Sequence, residues 1–226
     1  RLVVHYLKLF GTDYDIQGLE KTQKNLMSTK IKVIPGDLMK KLPFENNSFD
    51  KAVMSEVAEH LPSDVKGLKE VYRILKPGAI LCLTVPHANY PFLWDPLNWL
   101  LEKLFNTHIK SGFFAGIWNQ HIRLYRLTDI KLVLEKSGFK IDKIEPLTFW
   151  CLPLNHYLVN LVARYIHRQY VKGHINTSLN KFTTTPNRSL VLNMAFSAVN
   201  LLDKLNDFWQ PANIGVSIFV KAIKRL

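Results

Sequence analysis

GDLMKKLPFENNSFDKAVMSEVAEHL (residues 36–61), followed after a helix-type segment by LKPGAILCLTVP (residues 75–86), decides the fold of this chain. Asp37 closes a mostly apolar run at 31–35. A second strand-like run, 49–54, ends at Ser55-Glu56 and opens into Glu59-His60-Leu61. Residues 64–75 carry a helical pattern that stops at Lys76-Pro77-Gly78, a turn between helix and strand, and hands over to the strongest strand signal, 79–85. Strand, acidic tip, strand, helix, Pro-Gly stop and strand is the order of an α/β protein built on a parallel sheet with ligand groups at the strand tips.

Upstream, residues 9–12 form a strand signal that ends at Asp13, and 16–28 place Ile16, Leu19 and Leu26 on one helical face. Downstream, residues 88–122 carry Trp94, Trp99, Phe105 and the run FFAGIW at 113–118, a pattern expected to cap the carboxyl ends of the strands. Thr128 is the candidate N-cap of a helix reaching Lys136, stopped by Ser137-Gly138. Residues 139–145 read as a strand and 213–223 as a closing strand. Between them, 147–211 reads as a basic, aromatic-rich helical insertion with helices near 154–170 and 190–206. The expected organisation is an α/β core at 1–146, the insertion at 147–211 and the closing strand of the core at 212–226.

The 226 residues suit one domain with an insertion, and 47% hydrophobic with 21% charged residues excludes global disorder. Net charge is +12, and residues 147–226 hold nine basic against two acidic side chains, +7, leaving +5 for the rest. A solvated basic face is the first reading of that excess and contact with a membrane surface the second. No nucleic-acid module is visible, so no nucleic acid is expected. Cys82 and Cys151 lie far apart in apolar surroundings and are expected as reduced thiols of a cytoplasmic protein, one able to contact a membrane peripherally. The uncharged stretch 146–163 is interrupted by Pro153, Asn155, His156 and Asn160, which argues for an interfacial or buried segment and against a spanning one.

Residues 36–86 in this order, with LFGTDYDIQ at 9–17, residues 123–139 and more weakly 215–224, resemble the class I S-adenosylmethionine-dependent methyltransferases, especially the branch of quinone-biosynthesis enzymes. The resemblance implies a Rossmann-like, mostly parallel sheet with helices on both faces, S-adenosylmethionine as cofactor and a small-molecule acceptor. It implies that Asp13 accepts ribose hydroxyls, that Asp37 accepts the adenine amino group and that the Leu38 backbone meets the adenine ring. Ser55 and Glu56 would line the reactive end of the cofactor. On the residues alone, Asp13 reads equally as a helix N-cap and Asp37 as a turn aspartate. The family's glycine-rich loop has no counterpart before Gly11-Thr12-Asp13. The first βα unit is therefore expected to be missing from this sequence, leaving two unpaired strand edges in mid-sheet and a chain that binds the cofactor poorly or not at all.

Methyl transfer needs alignment of nucleophile and methyl and exclusion of water. An oxygen acceptor gains from a general base, for which His87, directly after the strand at 79–85, and His121, in the aromatic cap, are the candidates; each reads equally as a structural histidine. Glu59-His60-Leu61 resembles a family signature and reads first as a helix-start acid with a packing histidine. The remaining histidines show no metal-ligand spacing, and no metal site is expected. Tyr72-x-x-x-Lys76 has a dehydrogenase spacing without any dinucleotide glycine fingerprint and is taken as chance. The function expected is methyl transfer to an apolar or amphipathic acceptor on oxygen. The absent loop leaves open a non-catalytic methyltransferase-like module that binds a partner or membrane.

Overall fold

The computed structural model describes residues 9–13, 31–151, 154, 157, 197, 201, 204–209 and 211–226. The helix expected at 16–28 and nearly all of the basic insertion lie outside these residues. The elements are β1 (Leu9–Asp13), β2 (Ile31–Pro35), β3 (Phe49–Ser55), α1 (Asp64–Ile74), β4 (Leu75–Pro86), α2 (Pro96–Phe105), α3 (Leu127–Lys136), β5 (Phe139–Leu147) and β6 (Ser217–Lys224), with 3₁₀ turns at Ala58–His60 and Phe113–Trp118.

Two sheets form. One has four strands in the order β3-β4-β6-β5; β3 and β4 are parallel, and β6 runs antiparallel to both of its neighbours. The other is a parallel pair, β1-β2. Alternation explains the core of the larger sheet: Leu81, Leu83 and Val85 of β4 and Ile218, Val220 and Ala222 of β6 are all fully buried. Leu68 and Val71 of α1 and Ile130 and Leu134 of α3 join the same core. The four-stranded sheet is thus mixed, one parallel ladder (β3-β4) being followed by two antiparallel ones.

Two local expectations change. β4 starts at Leu75, and its register jumps from Phe49↔Leu75 to Lys51↔Ile80. Lys76-Pro77-Gly78 is therefore a bulge in the strand's first turn of chain, with Gly78 at φ +76°, and not a connecting loop. Helix α3 is capped at Arg126, not Thr128, because Asp129 lies where its carboxylate accepts the Arg126 backbone N–H at 3.1 Å. Tyr72 packs edge-on against Phe139 and Lys76 pairs with Asp50 at 2.8 Å, so the dehydrogenase-like spacing serves packing.

Among the described residues β1 pairs only with β2, and β3 only with β4, so each presents an unpaired edge. Phe10 on β1, Phe44 in the connection between β2 and β3, and Phe49 on β3 join the two sheets through edge-to-face contacts, with ring centroids 4.9–5.6 Å apart. Arg73 of α1 latches the 42–46 connection: it forks onto Glu70 and donates to the carbonyls of Phe44 and Leu42. Lys224 is buried with all three donors used, on Asn47 Oδ1, Tyr72 O and Leu75 O at 2.8–2.9 Å.

Candidate active site

At the tips of the smaller sheet, the Gly36 N–H donates to the Asp13 carbonyl at 2.9 Å. A Cβ on Gly36 would stand 2.2 Å from Thr12 Oγ1, so only glycine lets the two tips come this close. Asp13 is exposed at the end of β1. Asp37 Oδ1 accepts the Met39 N–H at 2.8 Å, and its Oδ2 lies 3.6 Å from Lys40. The Leu38 N–H takes no partner among the described residues. Two carboxylates at neighbouring strand tips, with a free N–H beside one, are the acceptors and donor that a ribose and an adenine edge require, so these residues fit the nucleoside half of S-adenosylmethionine. Leu42, by contrast, is buried beneath Gly36.

On the larger sheet, the tips of β3 and β4 are tied by Ser55 Oγ and Thr84 Oγ1 at 2.8 Å and by the Glu56 N–H to Thr84 O at 3.0 Å. Glu56 sits at φ +53°, a strained backbone for a side chain of its size. Burial pushes its carboxyl above the ordinary range.

The following turn brings three groups together that the sequence keeps apart. Glu59 is fully buried, and neither carboxylate oxygen accepts a hydrogen bond of normal geometry. His60 Nε2 lies 3.5 Å and His121 Nε2 3.9 Å from Glu59 Oε1, and the two imidazoles meet edge-to-face at 4.8 Å. Burial, reinforced by the nearby Glu56 charge, pushes the Glu59 carboxyl up to about 7. The convergence is held by the backbone and by Arg123: Ile122 N–H donates to Glu59 O at 3.1 Å, and the guanidinium donates to Leu61 O at 2.7 Å and Pro62 O at 3.2 Å. Tyr125 adds a hydrogen bond to Asp64 at 2.9 Å.

The aromatic cap folds around Asp95, the N-cap of α2. This fully buried carboxylate accepts from the Asn98 side chain at 2.8 Å, from the Ile117 N–H at 2.9 Å and from the Tyr157 hydroxyl. Gly116, at φ +55°, has no room for a Cβ, which would overlap Asp95 Oδ2. Sequence reasoning missed this hub, although Asp95-Pro96 is a readable N-cap and N1 pair. The cap borders a half-open cavity of about 180 Å³ lined by Glu56, Pro86, Trp94, Ile117, Asn119 and His121. The two candidate bases separate here. His121 lines the cavity, whereas His87 is 2% exposed, and burial holds it below its ordinary pKa while its ring faces the Gly215 backbone.

Residues 2–83 match a family model described as a methyltransferase domain. The chain is 33% identical over 150 residues to a sterol 24-C-methyltransferase of Pneumocystis carinii, covering 66% of this chain and 37% of the relative. It is 35% identical over 138 residues to a demethylmenaquinone methyltransferase of Staphylococcus aureus, covering 57% and 56%. The chain thus spans between 37% and 56% of the length of these two relatives. Among solved structures, a methyltransferase of Methanosarcina mazei shares the fold with a TM-score of 0.56 at 15% identity, over 97% of this chain and 82% of that one. What the order of residues 36–86 resembles, the relatives share and the fold repeats: residues 2–83 match a methyltransferase domain, and the chain is similar in sequence to methyltransferases of sterols and quinones and in fold to an S-adenosylmethionine-dependent one.

Proposed function

We propose that the protein transfers a methyl group from S-adenosylmethionine to an oxygen of a small apolar or amphipathic ring compound. The observation that carries this reading is the cavity under the cap, with Glu56 of the cofactor side in one wall and His121 in another. Its size bears on the acceptor. A cavity of about 150 Å³ holds one benzene ring, so about 180 Å³ suits a single quinol-like ring better than a fused sterol nucleus. Of the two relatives described, the demethylmenaquinone enzyme is the nearer guide to substrate class.

The cofactor brings a methyl already activated on a sulfonium, and the chain's task is placement. Asp13 would hold the ribose hydroxyls, Asp37 and the Leu38 N–H the adenine, and Ser55 and Glu56 would border the reactive end. Trp94 and Ile117 exclude water from the ring. His121 would take the acceptor hydroxyl's proton, with the Glu59 carboxylate behind it to favour the charged imidazolium. The long tail of such an acceptor belongs in a bilayer. Helix α2 leaves Leu100, Leu104 and Phe105 largely exposed beside Lys103, a face suited to peripheral membrane contact. No helix among the described residues is long and apolar enough to cross a membrane.

The same exposed face, with the open edges of β1 and β3, favours a second reading: a non-catalytic module on a membrane or partner. Transfer of a labelled methyl to a hydroquinone presented in vesicles separates the two. Methyl transfer predicts a product that falls 10²–10⁴-fold in His121→Ala. Cofactor binding without any product would favour the module, whereas a rate untouched in that variant would remove His121 as the base.

A further inference from the structure

We propose that Glu59, His60 and His121 form a site for one divalent transition-metal cation in the wall of the acceptor cavity. The geometry that points to it starts at His60. Its Nδ1 lies 3.0 Å from the Gln120 carbonyl oxygen. A carbonyl only accepts, so in the neutral ring the proton sits on Nδ1 and the Nε2 lone pair is turned toward Glu59 Oε1, 3.5 Å away. An imidazole lone pair and a carboxylate oxygen repel across that distance unless a positive charge lies between them. His121 Nε2 approaches the same oxygen at 3.9 Å, and one ligating atom from each of the three residues lies within 4.8 Å of the others.

A metal bound at about 2.0–2.2 Å spaces its ligand atoms roughly 3–3.5 Å apart, so a small inward movement of the two rings completes the set. Two imidazoles and one carboxylate suit zinc and its first-row neighbours and do not suit magnesium or calcium, which prefer oxygen-only sets. Burial adds the second line of support. Glu59 is fully enclosed with both oxygens unsatisfied, a costly arrangement for a carboxylate that a bound cation would offset. The site is also prepared and reachable. The Gln120 carbonyl orients His60, the Ile122 N–H fixes the Glu59 backbone, and the His60 side chain is 39% exposed. His121 gives the site an open side on the cavity; with a metal bound, its Nε2 would be a ligand and no longer the base of the proposed methyl transfer, and an acceptor oxygen completing the coordination would lose its proton more readily there instead. The expectation of no metal, drawn from sequence spacing, could not see this set because His121 lies 61 residues beyond His60.

The competing arrangement is a proton shared between Glu59 and the imidazoles. Titration of Co²⁺ and Zn²⁺ into chelator-stripped protein, without cofactor or acceptor, decides between them. The metal site predicts one equivalent bound, visible d–d absorption from Co²⁺, and an affinity lowered at least tenfold in Glu59→Gln and in His121→Ala, with His108→Ala unchanged. Circular dichroism establishes that each variant is folded; Glu59→Gln keeps the side chain's shape and only removes its charge. No saturable binding to the folded parent, or binding undiminished in Glu59→Gln, would overturn the proposal. The measurement does not depend on methyl transfer: metal binding without catalysis would count against that reading alone.

Discussion

The two sheets of this molecule are built to different standards. In the four-stranded sheet, β4 is paired on both sides and its inward side chains are fully buried, and the Glu59 turn hangs directly from the end of its neighbour β3. In the β1-β2 pair no β1 residue is buried, Leu9 is 42% exposed, and the outer edge of β1 has no partner among the described residues. The acceptor-side groups therefore rest on the main core. Asp13 and Asp37, the carboxylates proposed for the nucleoside, rest on a short ribbon, a glycine contact and three phenylalanines. The difference separates two kinds of failure: damage to the larger sheet should unfold the protein, while damage to the ribbon should loosen cofactor contacts first.

The sharpest contrast comes from truncation. Leu83→Ala removes a fully buried core side chain and should cost about 2–5 kcal/mol in denaturant unfolding. Leu9→Ala, on the exposed ribbon, should cost well under half of that. Equal losses would mean that the ribbon is as much a part of the core as β4.

Next in size is the latch. Glu70→Gln breaks the charged fork to Arg73 and should cost about 1.5–3 kcal/mol. The hydrogen bonds from Arg73 hold the Glu70 carboxyl below its ordinary range. A carboxyl depressed in the folded state stabilises above its unfolded pKa, and that stabilisation is lost as pH falls through the folded value. The parent should therefore lose more stability than Glu70→Gln as the pH drops below 4.5. Parallel pH profiles for the two proteins would remove the latch from the account.

The most local effect expected is at the join. Phe10→Ala deletes two edge-to-face contacts, each worth about 0.5–1.5 kcal/mol beyond buried area. Hydrogen exchange should accelerate at β1 and β2 amides and stay unchanged in β4 and β6. A uniform change would show that the two sheets open together.

What was legible in the sequence was local. Apolar runs, the acidic tips Asp13 and Asp37, and the helix at 64–74 all announce themselves within a few residues, because strand and helix periods and Pro-Gly punctuation act at that range. The pairing of β3 with β4 followed from fold grammar. The insertion of β6 between β4 and β5 did not show itself, since antiparallel pairing across some 70 intervening residues leaves no mark in either segment beyond alternation. The same limit hid the site's most distinctive chemistry. Glu59 and His60 read as an ordinary helix start until Arg123 and the Ile122 N–H bring His121 to them. His87, adjacent in sequence to a strand tip, is instead enclosed beside Val216. The Asp95 hub likewise joins residues up to 62 positions apart.

The ribbon's carboxylates are proposed to hold the nucleoside of S-adenosylmethionine. Calorimetric titration of the cofactor into the parent, Asp13→Ala and Asp37→Ala tests it most directly. A carboxylate that accepts two ribose hydroxyls contributes roughly 1.5–3 kcal/mol per charge-assisted bond. Weak but saturable binding to the parent is expected, with a loss of tenfold or more in Asp13→Ala and a smaller loss in Asp37→Ala. Affinity unchanged in Asp13→Ala would remove that carboxylate from the site.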